Sequence, residues 1–296
     1  MAQAIRRPNF FDILRLMLVG SIWGSSFIFI TLALDSFAPV TIAAVRVGLA
    51  ALVLLMVCAM FGQRLPSKSS DWRKLGIVGI FNSAIPFFLI SWGQQFVSTA
   101  EAALLMATGT FFALIISHFS TEDERINLSR ALGVGIGFAG VLALVFVELI
   151  QSGLGQLKGQ ISVIAAGASY AVSSVLARRI SHLPSISSSA GIMLMASCYL
   201  IPFVFLIDQP WSETVTITSM LAVSVLGIVS TAFAFAIRFT IIRDNGAVFM
   251  SQVGYLVPLF GVFWSWVWLS ESITLQTAIA LICILLGLAI TRRGAR

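Results

Sequence analysis

Nine stretches of this chain run for 17 or more residues without Asp, Glu, Lys or Arg: 16–34, 75–100, 102–121, 131–147, 159–177, 183–207, 214–237, 245–270 and 272–291. A tenth, 38–61, is apolar apart from Arg46. A membrane helix needs about 20 mostly apolar residues, and within hydrocarbon only a helix or a closed barrel satisfies its own backbone. Ten such runs predict an all-α polytopic membrane protein. The first run follows Arg6 and Arg7 but is longer than the roughly 7 to 15 residue apolar core of a signal peptide, so it reads as helix 1.

Composition supports this and excludes soluble enzyme folds. The chain is 58% apolar and 10% charged with a mean hydropathy of +1.00, whereas a soluble domain carries about 25% charged residues. A 31.9 kDa globule has too little interior for this much apolar surface, which a bilayer solvates directly. Ten spans of about 21 residues leave only about 86 positions for termini and connections, so no soluble domain fits. Cys58, Cys198 and Cys283 lie in apolar runs without CxxC spacing, and His118 and His182 are the only histidines. The sequence therefore predicts no metal, no cofactor and no covalent catalysis, and neither HExxH nor GxSxG is present.

The basic residues fix an expected orientation. With the N-terminus in the cytoplasm, sixteen of the eighteen Lys and Arg fall on the cytoplasmic side, Lys158 falls outside, and Arg46 lies within a span. Both termini are thus expected in the cytoplasm of a bacterial-type inner membrane. The twelve acids divide six and six between the faces. The net charge of +6 is then a topology signal, and no nucleic-acid partner is expected. A small molecule and the lipid bilayer are the expected partners, with no obligate protein partner evident.

The ten spans form a repeat. Leu75-Gly76-Ile77-Val78 recurs as Leu226-Gly227-Ile228-Val229. Trp23 and Ser26 align with Tyr170 and Ser173, Pro39 with Pro184, Gly109 with Gly254, Glu124 with Glu271, and Gly140 with Gly287. The predicted repeats cover 11–148 and 156–292. Five crossings are an odd number, so the second copy enters from the opposite face and the repeats are inverted. Such repeats are common in secondary transporters, whose substrate sites lie near the midplane between the halves. Pro86, Pro202 and Pro258 are expected to bend helices 3, 7 and 9, and nothing resembles a channel filter.

On these residues the chain resembles the drug/metabolite transporter superfamily, EamA type. The motifs are Trp23-Gly24-Ser25-Ser26-Phe27, Pro39 with Arg46 seven residues later, Pro258, Leu269-Ser270-Glu271 and Gly287. Departures are Tyr170-Ala171 in place of Trp23-Gly24, Gly191 in place of Arg46, and Ala113 opposite Pro258. Within the superfamily it looks most like the YddG group of bacterial amino acid exporters. That likeness implies efflux of aromatic and neutral amino acids by alternating access. Drugs or other small organic metabolites are the alternative cargo.

The resemblance implies a cavity between helices 1, 3, 4, 6, 8 and 9. There the expected substrate contacts are Trp23, Ser26, Asn82, Met106, Thr110, Tyr170, Ser174, Gln252 and Tyr255. Rings and small polar groups suit neutral or zwitterionic solutes. Arg46 is costly, about 2.5 to 3.5 kcal/mol at a helix centre on the insertion scale. It either captures a substrate carboxylate or serves structure by pairing with Glu101 or capping carbonyls. A family of diverse cargoes favours the structural role. Because all twelve acids lie at helix ends or in connections, transport is not expected to hinge on one buried carboxylate.

Overall fold

The computed structural model describes residues 6, 8–120, 126–152, 154–208 and 214–293. Glu124, the predicted repeat match of Glu271, lies outside the described residues. Among the described residues, ten helices are long and apolar enough to cross a membrane: α1 (Phe10–Leu34), α2 (Pro39–Met60), α3 (Ser69–Gly93), α4 (Thr99–Ser120), α5 (Leu128–Ser152), α6 (Leu154–Ile180), α7 (Ser185–Asp208), α8 (Ile217–Asn245), α9 (Ala247–Leu269) and α10 (Leu275–Arg293).

Local chemistry sets their ends. Asn9 accepts from the Asp12 amide while the Asp12 carboxylate accepts from the Asn9 amide, a reciprocal cap that starts α1. Pro39 opens α2 at a position where a missing N–H removes no helical bond. Ser98 and Thr216 accept from the amides of Glu101 and Ser219 to cap α4 and α8. Gly246, at φ 87°, lets the chain reverse from α8 into α9 without a loop.

The packing is two-fold. α5 packs on α10, α2 on α7 and α4 on α9, each pair made of repeat-related helices. The remaining main contacts come in matched sets: α1 with α9 and α6 with α4, α1 with α8 and α6 with α3, α3 with α7 and α8 with α2. The molecule is thus ten helices in two inverted five-helix repeats. Leu52, Met56, Leu142, Phe146, Ile282 and Leu286 stay exposed around the rim, where hydrocarbon solvates them. We call the end of the bundle carrying both chain termini the terminal face, and the other the distal face.

Candidate functional site

Four helices are irregular where the halves meet. α3 contains a π turn at Ile80–Ala84 and α8 one at Ile228–Phe233, at overlapping repeat positions. In α3 the turn sits just before Pro86, whose absent N–H leaves a carbonyl without its helical donor. In α8 no proline is involved. The Thr231 hydroxyl donates to the Leu226 carbonyl at 2.8 Å and supplies a partner the wound-out backbone lacks. Of the expected bends, Pro202 precedes a π turn at Val204–Asp208, whereas α9 runs unbroken through Pro258 and is interrupted earlier, at Ser251 and Gln252.

α4 is interrupted at Ala107, the repeat counterpart of Gln252, and the two breaks are built alike. The amides of Ala107 and Thr110 donate to the carbonyls of Leu104 and Ala107, and those of Gln252 and Tyr255 donate to Phe249 and Gln252. All four are tight three-residue bonds that narrow the helix locally.

Arg46 lies in this interior, only 6% exposed. Its Nε donates to Thr231 Oγ1 at 3.0 Å, and its guanidinium carbon lies 3.8 Å from the centre of the Phe87 ring. Arg46 does not pair with Glu101, as the sequence suggested. Glu101 instead accepts from Gln160 Nε2 at 2.6 Å, on α6 near the distal face. Tyr170 packs against both large apolar clusters. Trp23 donates from Nε1 to the Ser230 carbonyl at 3.1 Å and meets the Phe235 ring edge-on at 6.2 Å.

The other predicted residues separate into groups. Asn82 accepts from Ser173 Oγ at 3.2 Å and donates to Ser83 Oγ at 3.1 Å, tying α3 to α6. Met106 and Thr110 are half-buried on either side of the α4 break, with Thr110 facing Gly254 of α9. Gln252 and Tyr255 help line a cavity of about 630 Å³ on the terminal face, with Ile13, Leu16, Met17 and Arg292. The Tyr255 hydroxyl donates to the Leu288 carbonyl at 2.6 Å, so its polar end fastens α9 to α10. Ser26 and Ser174 donate to their own helix, to the carbonyls of Ile22 and Ala171. For those two the arrangement is a backbone bond, without a polar atom turned to a shared site.

Sequence reasoning missed Thr231, Phe235, Phe87 and Arg238. Thr231, Phe235 and Arg238 recur at four and three residues, which puts them on one face of α8. Arg238 was counted among the cytoplasmic connections, but it lies within α8 with its guanidinium 5.6 Å from the Phe235 ring centre and 5.9 Å from that of Phe239. The apolar run 214–237 ends at Arg238, and only continuation of the helix to Asn245 places the residue within α8.

The two ends of the bundle differ in burial. On the distal face every residue of 99–105 is buried, and Glu271 accepts from the amides of Thr99 and Ala100 at 3.0 Å each. Thr41 donates to Asp208, and Ser36 bonds Thr216 at 3.2 Å, joining the two halves there. The repeat counterpart of 99–105 is 244–250 on the terminal face, where Ala247 and Val248 are exposed. These contacts close the distal end more tightly than the terminal end.

The EamA-like transporter family matches the chain twice, over residues 11–146 and 157–293. The chain is similar to the uncharacterized transporter YoaV of Bacillus subtilis (strain 168), 23% identical over 90% of this chain and 91% of that protein. It is similar to protein PagO of Salmonella typhimurium, 23% identical over 93% and 90%. The uncharacterized inner membrane transporter YedA of Escherichia coli (strain K12) is 24% identical over 81% and 77%. A solved crystal structure, 21% identical, has the same fold, with a TM-score of 0.70 over 97% of this chain and 98% of that one.

Proposed function

The chain belongs to the EamA-like transporter family, and from that premise we propose that it exports aromatic and neutral amino acids across a bacterial inner membrane by alternating access. That it is a multi-pass membrane transporter for a small molecule follows from the family itself. The terminal face is the cytoplasmic one in this reading, as the basic residues require.

The observation that carries the reading is the unequal burial of two repeat-related segments. Residues 99–105 are sealed while 244–250 are partly open, so the two halves hold inverted versions of one arrangement. Exchanging those roles between the halves opens the opposite face, which is alternating access around a fixed centre. The interior groups support a zwitterionic or neutral aromatic solute: Trp23, Tyr170 and Phe235 offer ring surface, and Asn82 and Ser173 keep hydrogen-bonding capacity beyond their mutual bond.

The test is counterflow of radiolabelled amino acids into liposomes holding the purified protein. Saturable phenylalanine flux is expected, and Asn82→Ala should lower it by about tenfold if a substrate hydrogen bond is lost. No amino acid flux, with efflux of drug-like or other organic solutes instead, selects the alternative cargo. Coupling is read in the same vesicles: flux is expected to persist without a pH gradient, and obligatory proton movement with substrate contradicts independence from a buried acid.

A further inference from the structure

We propose that Arg46 is a carboxylate-binding site, with the unoccupied edge of its guanidinium directed to the acid group of the transported molecule. This rests on the amino acid reading above and adds the residue and the chemical group that recognise the cargo. Three observations carry it. First, Arg46 is buried without an anion: no acid among the described residues pairs with it. The acids of the distal end are engaged by other groups, Glu101 by Gln160, Glu271 by the start of α4, and Asp208 by Thr41. A buried positive charge left uncompensated attracts an anionic ligand strongly in a low-dielectric interior.

Second, the guanidinium is held in place on two sides and left open on the third. Thr231 accepts a hydrogen bond from Nε and donates its own proton to Leu226, so the hydroxyl has no proton left for a ligand. Phe87 lies under the planar face. The two terminal nitrogens make no hydrogen bond to described residues, and together they present the parallel donors that a carboxylate accepts in bidentate form. Third, the contacts come from both halves: Phe87 is on α3 and Thr231 on the π turn of α8. A ligand at Arg46 therefore touches the elements whose rearrangement alternating access needs. Arg238, seven residues along the same face of α8 and about 10 Å nearer the terminal face by helix rise, adds a second cation on the approach.

The experiment is equilibrium binding to the full-length protein in nanodiscs, using phenylalanine, phenylalaninamide, 3-phenylpropionate and phenyl phosphate. The wild type is expected to bind phenylalanine and 3-phenylpropionate at least about tenfold tighter than the amide. Arg46→Gln should abolish that preference while changing amide affinity by less than about twofold, and Arg46→Lys should restore part of it. An equal loss for acid and amide, or no loss for either, overturns the proposal, and so does Arg46-dependent binding of phenyl phosphate alone. If Arg46→Gln does not fold, Thr231→Val is read the same way: weaker acid binding with unchanged amide binding is expected, and an equal change overturns the site. Arg46-dependent binding of 3-phenylpropionate without amino acid flux keeps the carboxylate site and removes the amino acid reading. Amino acid flux with binding that ignores Arg46 does the reverse.

Discussion

Single polar groups in this interior are spent on holding helices together, and their roles follow from which atom faces which helix. Tyr255 shows this: its ring lines the terminal cavity while its hydroxyl fastens α9 to α10 through Leu288. Tyr255→Phe should lower thermal stability by about 1 kcal/mol, the usual net worth of one hydrogen bond, with amino acid flux retained. Thermal unfolding by tryptophan fluorescence and the liposome assay check both halves of that statement. Asp12 is fully buried and receives Arg6 at 2.6 and 2.7 Å and Asn245 at 3.1 Å, besides capping α1. Asp12→Asn should be the more damaging change, about 1 to 3 kcal/mol, because it removes the negative charge and one of the two acceptor oxygens that Arg6 and Asn245 address. A melting temperature equal to wild type refutes this role. The sequence pointed to Asp12 only as one of six cytoplasmic acids, since its partner Asn245 is more than two hundred residues away.

At the scale of elements, small residues decide how closely the repeat-related helices approach. A Cβ on Gly287 would lie 2.5 Å from the Gly133 carbonyl oxygen and 2.7 Å from the Gly137 amide, so α5 and α10 touch backbone to backbone. Gly24 is comparable: a Cβ there would lie 2.8 Å from the Gly261 amide of α9. Gly287→Leu forces apart a peripheral pair, whereas Gly24→Leu forces apart α1 and α9 beside the interior. Both proteins should still insert, because the span's hydropathy rises. Gly24→Leu should lose flux even where membrane levels match wild type. Flux normalised to membrane protein is the measurement, and wild-type rates in Gly24→Leu contradict the close-approach argument. Gly20 and Gly24 of α1, and Gly133 and Gly137 of α5, stand four residues apart, a spacing legible in the sequence, as was the need for bends. The location of the bends was not, because Thr231 makes a π turn in α8 without proline and α9 absorbs Pro258 within a continuous helix.

For the whole molecule, the sealed distal end has an identifiable latch. Glu271 caps the start of α4 with two carboxylate bonds, joining the α9–α10 connection of one half to α4 of the other. Glu271→Ala removes both. A loss of about 2 kcal/mol from this arrangement alone would shift the balance between inward and outward forms by roughly thirtyfold. Labelling of a cysteine placed at Thr110, half-buried just on the terminal side of the α4 break, should then slow from the terminal side. Unchanged labelling means that Glu271 does not hold the distal face shut.

Run length, the asymmetry of basic residues and the recurring Leu-Gly-Ile-Val were enough to define ten membrane helices in two inverted halves. These are properties of segments about 20 residues long, and a bilayer reads segments. Which side chains meet is a property of pairs far apart in the chain. Arg46 and Thr231 are separated by 185 residues, and Trp23 and Ser230 by 207. Only the packing of α2 and α1 on α8 joins them, and only that packing leaves one edge of a buried arginine without a partner.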